Sequence, residues 1–562
     1  MPTALDQRIN SGLAALTAPG APMALTEVTV AGQTYPMIAA APPSLMHYFA
    51  HFSAEHADKT FLVAGDERLT FAEVYQQAGV AARSLVAGGL AKGDRVGIAM
   101  RNSPSWIALY MGIVMAGGVA VLLNGWWQAE EFAAALSEVE CSIVFADPPR
   151  ADRLAGVPGL RARVVTIDDV RPLATALSPL ADAPGTALPA LGGDDLATIL
   201  FTSGSTGLSK GALSDHRAVV QGIFNYLAQT LMMLGIATEM GQAPTEQPAT
   251  LLNVPLFHVT AEIPVMLQSF AMGRKLVLMP KWNAEEAMRL IQAERVSYFV
   301  GVPLMSFEIL THPNRANYDL STVTDFAAGG APRPVEHVRR IKDEMGGGAP
   351  LIGYGLTETN AVGCGNFRDN YLAKPNSTGP ASKPLVDLAI LDGAGAKLPA
   401  GGRGDVAIRS ICNFREYWNR PEATAEAFTK DGYFLTGDIG YLDEDGYLFI
   451  VDRKKDIIIR GGENISCQEV EAAIYECPAV AETAVFGLAD ERLGEVPGAV
   501  VYFHPGLEKS IGELQEFLRE HIAAFKVPER IWIASEPLPR LGTEKVDKVS
   551  LKAKYRALAA VA

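Results

Sequence analysis

The sequence predicts an α/β fold in which a large N-terminal domain of mostly parallel sheets is followed by a smaller α+β domain. Three observations carry the prediction. Short apolar runs alternate with helical patterns from about residue 44 to 147, four later apolar runs each end in a distinctive loop, and the chain changes character near Asp452. At 562 residues it exceeds a single core, and 49% apolar against 20% charged residues is ordinary for a globular protein.

Each element follows from the local pattern. FLVAG, RVGIAM and CSIVFAD read as strands, whereas FAEVYQQAGVAARSLVAGG and EEFAAALSEV read as helices. Residues 107–123 are apolar throughout and imitate a membrane span. Their length is at the lower limit and they contain Gly112, Gly117 and Gly118, so they read as a buried helix from about Trp106 to Met115, a glycine turn, and a buried strand from Val119 to Leu122. The Pro/Ala/Gly-rich segment 178–193 is a surface connection.

LATILF (196–201) is then a strand feeding TSGSTGLSKG (202–211), and Val219, Val220, Ile223, Phe224, Leu227 and Leu231 recur at helical spacing. Residues 251–254 precede PLFH, 323–328 precede GGAP, and 351–354 precede GLTET. Ligands of open α/β sheets bind outside the carboxyl ends of strands, so the four loops are expected on one rim. After the charged stretch DRKKDIIIRGGENI come helix-like EVEAAIYE, apolar TAVFGLA, strand-like GAVVYF and an amphipathic helix over about 510–524. This arrangement predicts domains 1–454 and 455–562.

Charge and cysteines exclude several classes. Lys plus Arg total 48 against 63 Asp plus Glu, a net charge of -15, and no basic run interleaves with aromatics, so nucleic acid is not the expected partner. The five cysteines (Cys141, Cys364, Cys412, Cys467, Cys477) form no C-x-x-C pair or metal cluster and suit reduced thiols in a cytoplasm. The apolar run near the N-terminus is too short for a signal h-region, and AAVA is no peroxisomal address. A cytoplasmic protein with no transmembrane segment is expected.

The glycine loop has the composition a polyphosphate requires. Gly204 and Gly207 let backbone N–H groups turn inward, Thr202, Ser203, Ser205 and Thr206 add hydroxyls, and Lys210 adds charge. Its spacing is not that of a Walker A sequence, and taken alone a flexible turn is the lesser alternative to a phosphate loop. Read with PLFH (255–258), GGAP (329–332), YGLTE (354–358), TGD (436–438), DRKKD (452–456), GGEN (461–464) and LPRLGTEK ending at Lys545, it resembles the phosphate loop of the adenylate-forming superfamily. That superfamily holds acyl-CoA synthetases, aryl-CoA ligases, peptide-synthetase adenylation domains and firefly luciferase. The resemblance covers about residues 44–551 and is closest in look to bacterial fatty-acid or aromatic-acid CoA ligases. Ser209 stands where the family usually has proline, and Glu544 where it has the glycine before the lysine. LPR before and VDK after keep the register of Lys545, with Lys548 as the fallback.

The resemblance implies the roles. Residues 202–207 and Lys210 would hold ATP phosphates. Glu358 and Thr206 would hold Mg2+, since a hard cation takes carboxylate and phosphate oxygens together. Thr357 would donate to the α-phosphate, Tyr354 and the backbone of Gly330, Ala331 and Pro332 would enclose adenine, and Asp438 would accept the ribose hydroxyls with Arg453 nearby. For Tyr354 a core tyrosine, and for Asp438 a turn-capping aspartate, are the plain alternatives. His258 would gate the acyl tunnel lined by Val259, Thr260, Gly329 and Gly353; as a lone residue it would read as a buried core histidine. Lys545 would bridge carboxylate and α-phosphate, the small domain would rotate about Lys455 in hinge 452–456, and Gly461 and Gly462 would face the pantetheine channel.

The implied activity is AMP-forming acyl-CoA synthesis: a carboxylic acid and ATP give acyl-adenylate and pyrophosphate, then coenzyme A takes the acyl group and releases AMP. A medium or long fatty acid or a hydrophobic ring acid suits the small residues at the acyl site. Loading of a carrier protein is the alternative acceptor, a non-catalytic relative of the same fold is a third reading, and a homodimer is common in the family.

Overall fold

The computed structural model describes residues 3–202, 209–241, 243–461, 463–541 and 545–561. Packing separates two compact units, Met1–Leu388 with Ile408–Phe434, and Ala389–Ala407 with Leu435–Ala562.

The first unit contains two large sheets. In one, the parallel strands Arg163–Thr166, Ile143–Ala146, Arg95–Ala99, Val119–Leu122 and Leu196–Phe201 lie side by side, and Gly211–Asp215 and Glu416–Tyr417 extend it antiparallel. In the other, Ala349–Tyr354, Asp325–Gly329, Tyr298–Gly301, Ala249–Leu252 and Lys275–Leu278 run parallel, with Cys364–Phe367 antiparallel at one edge.

Local sequence explains the helices around them. Thr70 and Glu73 form a reciprocal capping box on Phe71–Ala87, and Ser103 caps Pro104–Met115, whose first residue is the proline favoured there. All of Pro104–Met115 is buried. Gly112 permits its close approach to Phe71–Ala87, since a Cβ there would lie 2.7 Å from the Ala81 Cβ. Gly117 at φ +79 turns the chain into the buried strand Val119–Leu122, so residues 107–123 form the expected helix, turn and strand. A different helix, His216–Glu239, is long and apolar enough to cross a membrane by length and composition, with 61% of its most apolar window buried inside the fold. All five cysteines are buried and unpaired.

The second unit joins a four-stranded sheet (Asp387–Leu391, Gly404–Arg409, Phe434–Leu442, Leu448–Arg453) to an α+β layer. In that layer Val480–Asp490 and Gly494–Phe503 form a long antiparallel pair, and Arg530–Ile533 adds parallel to the latter. Helices Cys467–Tyr475 and Ile511–His521 cover one apolar core, the second helix being shorter than the 510–524 the sequence suggests. The compact units do not divide at 454/455: residues 389–407 and 435–454 pack with the C-terminal part. Asp452, 2% exposed, explains the join, because its carboxylate accepts the backbone N–H groups of Arg453, Cys467 and Gln468, and Ser466 Oγ donates to the Val451 carbonyl.

Candidate active site

In the first unit, the strands before PLFH, GGAP and GLTET are parallel members of one sheet, which puts these three loops on one rim. The glycine loop departs from the expectation. It belongs to the other sheet and is the connection of a hairpin: Gly211 pairs with Phe201, and Thr202 N–H donates to the Lys210 carbonyl at 2.9 Å. The chain returns along Gly211–Asp215 before the helix begins, with Asp215 capping its first turn through Ala218 N–H at 2.8 Å. Alternating apolar runs reveal strands, whereas the pairing partner of each is a tertiary property. Ser203, Gly204, Ser205, Thr206 and Gly207 lie outside the described residues.

Residues 412–418 bind the two sheets together. Phe414 N–H donates to the Glu358 carbonyl (2.7 Å), Arg415 N–H to that of Leu213 (2.7 Å), and Trp418 N–H to that of Gly211 (2.8 Å). Asn360, 1% exposed and at φ +49, donates from Nδ2 to the Cys412 carbonyl (2.8 Å) and to Ser214 Oγ (3.1 Å). Asn360 thereby ties the turn after YGLTE to both the hairpin and the 412–418 segment.

At this junction Tyr417 donates its phenol to Glu358 Oε1 at 2.7 Å, and Lys210 Nζ sits 4.2 Å from the centre of the Tyr417 ring. Glu358 and Tyr417 are 8% and 5% exposed. Burial, then the negative charge of Glu358, push the Tyr417 phenol far above its ordinary range, so it remains a donor. A buried carboxylate and an ammonium thus converge on one aromatic ring. Neither Tyr417 nor Asn360 was among the residues expected from sequence; Asn360 follows YGLTET directly, while Tyr417 in EYWN carries no local signal of its own.

The other expected residues of this unit sit on the same loops. Gly329 and Gly353 are register partners at neighbouring strand ends. Gly330 is at φ +76, Ala331 is half-buried, Pro332 is exposed, and Tyr354 and Thr357 are half-buried. Gly355 is required by close approach, as a Cβ there would lie 1.9 Å from the Ala361 carbonyl oxygen. His258 is half-buried: its Nδ1 accepts Thr260 N–H at 3.3 Å and its carbonyl accepts the N–H groups of Ala261 and Glu262, which shapes the entry to Ala261–Leu267. Val259 is buried in the main core and Thr260 is half-buried.

In the second unit, Asp438 is 4% exposed and pairs with Arg453 Nε at 3.3 Å across adjacent strands. Lys455 is exposed, Gly461 is exposed at φ +58, and Gly462 lies outside the described residues. The two late lysines differ sharply. Lys548 pairs with Glu471 at 2.6 Å, and although burial opposes its charge, that carboxylate brings its pKa above the ordinary range. Lys545 is half-buried, and desolvation together with the nearby Arg453 charge push its pKa down to about 8. Among the described residues no carboxylate pairs with Lys545. Nor does any group of three acidic, histidine or cysteine side chains form a metal cluster there.

Known proteins share this architecture. The AMP-binding enzyme family matches residues 49–418, and the AMP-binding enzyme C-terminal domain matches 469–545. The long-chain-fatty-acid–CoA ligase FadD13 of Mycobacterium tuberculosis is 35% identical over 497 residues, covering 88% of this chain and 94% of the relative. A long-chain-fatty-acid–CoA ligase of Bacillus subtilis is 32% identical over 526 residues, covering 88% and 91%. The crystal structure of ATP-bound MatB from Rhodopseudomonas palustris superposes with a TM-score of 0.80 at 30% identity, covering 91% of this chain and 99% of that one. The chain therefore belongs to the AMP-binding, adenylate-forming enzyme family and is an acyl-CoA ligase of it.

Proposed function

We propose that this ligase activates a medium- or long-chain fatty acid, or a hydrophobic aromatic or alicyclic acid, by Mg2+-dependent adenylation and transfers the acyl group to coenzyme A. The observation that carries the reading is the convergence of Glu358 and Lys210 on Tyr417. Opposite charges held beside the glycine hairpin suit a polyphosphate and its divalent counter-ion. The residues fit that ion: Glu358 offers hard carboxylate oxygens in a buried setting, and the phosphates would complete the coordination. When bound, Mg2+ supplies charge neutralisation on the phosphate chain.

The side chains then divide the work. Lys210 and the loop hydroxyls of Thr202, Ser203, Ser205 and Thr206 hold the β,γ-phosphates as pyrophosphate leaves, and Thr357 orients the α-phosphate. Tyr354 with Gly330, Ala331 and Pro332 encloses adenine, and Asp438 takes the ribose hydroxyls. Lys545 lowers the repulsion between the carboxylate and the α-phosphate, so positioning and charge stabilisation lower the barrier. Lys548 is committed to Glu471, which favours Lys545 for this role. Gly329 and Gly353, register partners on neighbouring strands, would leave room for the acyl group, and His258, Val259 and Thr260 would complete its lining. For thioester formation Lys545 must withdraw, and residues 452–456 with Lys455 serve as the hinge, bringing Gly461 and Gly462 to the pantetheine.

An acid panel read by pyrophosphate release, with coenzyme A and a phosphopantetheine carrier as rival thiols, tests the reading. Highest release with apolar acids and turnover with coenzyme A are expected; turnover with the carrier alone would overturn the acceptor. Lys455→Pro should spare adenylation and slow thioester formation, and equal loss in both would refute the hinge.

A further inference from the structure

We propose that Tyr417 is a positioning residue for adenylation, its hydroxyl aiming the Glu358 carboxylate at the metal and its ring face seating the Lys210 ammonium. The inference rests on the reading of Glu358 as the metal-binding carboxylate. It goes further by assigning one side chain, outside every loop that carries a phosphate or metal role, the task of arranging both charges.

Three features of the fold fix the tyrosine. Its backbone pairs with Ala212 on the returning strand of the glycine hairpin, and its N–H donates to Thr424 Oγ1 at 2.9 Å. Its ring packs on Phe414, with centroids 4.7 Å apart. The hydroxyl then meets Glu358 Oε1 at 2.7 Å. A carboxylate has two oxygens in one plane, so a strong donor on one restricts the direction of the other. Hydrogen bonds to an ionised acceptor are the strong ones, and partners behind a metal ligand change metal affinity by about ten- to hundredfold. The ring face contributes separately, because a cation 4.2 Å from the centroid lies within cation–π range.

Tyr417 therefore performs two separable tasks, and two substitutions separate them. Tyr417→Phe keeps the ring and removes the donor; Tyr417→Leu removes both. ATP binding is measured by calorimetry with and without Mg2+, Mn2+ binding to the ATP complex by electron paramagnetic resonance, and folding by thermal melting. Tyr417→Phe should fold but melt below wild type, since the buried Glu358 carboxylate loses a donor, bind metal-free ATP unchanged, and bind Mn2+ about tenfold more weakly. Tyr417→Leu should in addition weaken metal-free ATP by several-fold.

Glu358→Gln provides the control. If it weakens Mn2+ binding while Tyr417→Phe leaves that binding at the wild-type value, the positioning role is refuted and the metal role of Glu358 stands. If Glu358→Gln itself leaves Mn2+ binding unchanged, the metal reading fails and the positioning role fails with it. Equal weakening of metal-free and metal-bound ATP by Tyr417→Phe would also overturn the proposal, since a general loss of structure predicts that pattern.

Discussion

Asn360→Ala should disable this enzyme although Asn360 belongs to no expected ligand set. The native side chain, 1% exposed, satisfies the Cys412 carbonyl at 2.8 Å and Ser214 Oγ at 3.1 Å. Truncation strands these buried groups, at about 1–3 kcal/mol for each that finds no new partner. The residue also sits at φ +49, a left-handed conformation that costs a non-glycine residue about 1 kcal/mol and that asparagine tolerates better than alanine. Asn360→Ala should therefore lose about 3–5 kcal/mol, and Asn360→Gly about 1 kcal/mol less, because glycine keeps the backbone free while losing the same bonds. Urea unfolding followed by fluorescence measures both. ATP–pyrophosphate exchange should fall at least tenfold in each, as Glu358 lies two residues away on the turn that Asn360 anchors. An alanine variant as stable as the glycine variant, or exchange within twofold of wild type, would refute this account.

Other outcomes follow from the same geometry. Lys545→Ala should reduce pyrophosphate exchange by about a hundred- to thousandfold, whereas Lys548→Ala should chiefly lower the melting temperature by breaking the Glu471 pair; comparable loss of exchange in both would undo the assignment. With Lys545 brought to about 8, its charge is half lost near that pH in the substrate-free enzyme, and exchange should decline as pH rises through it. The sign for stability is opposite: the cost of holding this ammonium is full below about 8 and is relieved toward its ordinary 10.5, where the unfolded chain binds more protons than the folded one. Gly355→Ala should fail to fold correctly in soluble expression, as its Cβ would meet the Ala361 oxygen at 1.9 Å. Gly353→Ala, with nothing within 4 Å of the added Cβ, should fold with an unchanged melting temperature and shift the acid panel toward smaller substrates.

The loops were legible because their chemistry is local. Glycines, hydroxyls and a lysine at 202–211, or the acid ending YGLTE, set by their residue types which ligands they could bind, and the order of the motifs along the chain narrows the choice. Burial of residues 107–123 as helix, turn and strand could be read from their length and glycines, since apolar side chains and punctuation act over one or two turns. Less local properties escaped. The glycine loop was expected on one rim with the others, but the hydrogen-bond partner of an apolar strand is chosen by the whole sheet. Segment 389–407 packs with the C-terminal unit for the same kind of reason, as does the strand leading to Asp452.

Tyr417 marks the division most clearly. By itself the sequence determined which residue types are available to hold phosphate, metal and acyl group, and in what order along the chain. Only the tertiary structure decided that a tyrosine beyond those motifs lies between Glu358 and Lys210. Residues expected to touch a ligand are constrained by its chemistry, which residue types along the chain express. A residue that acts through its neighbours is constrained by the distance between two strands, and that distance exists only once both sheets have formed.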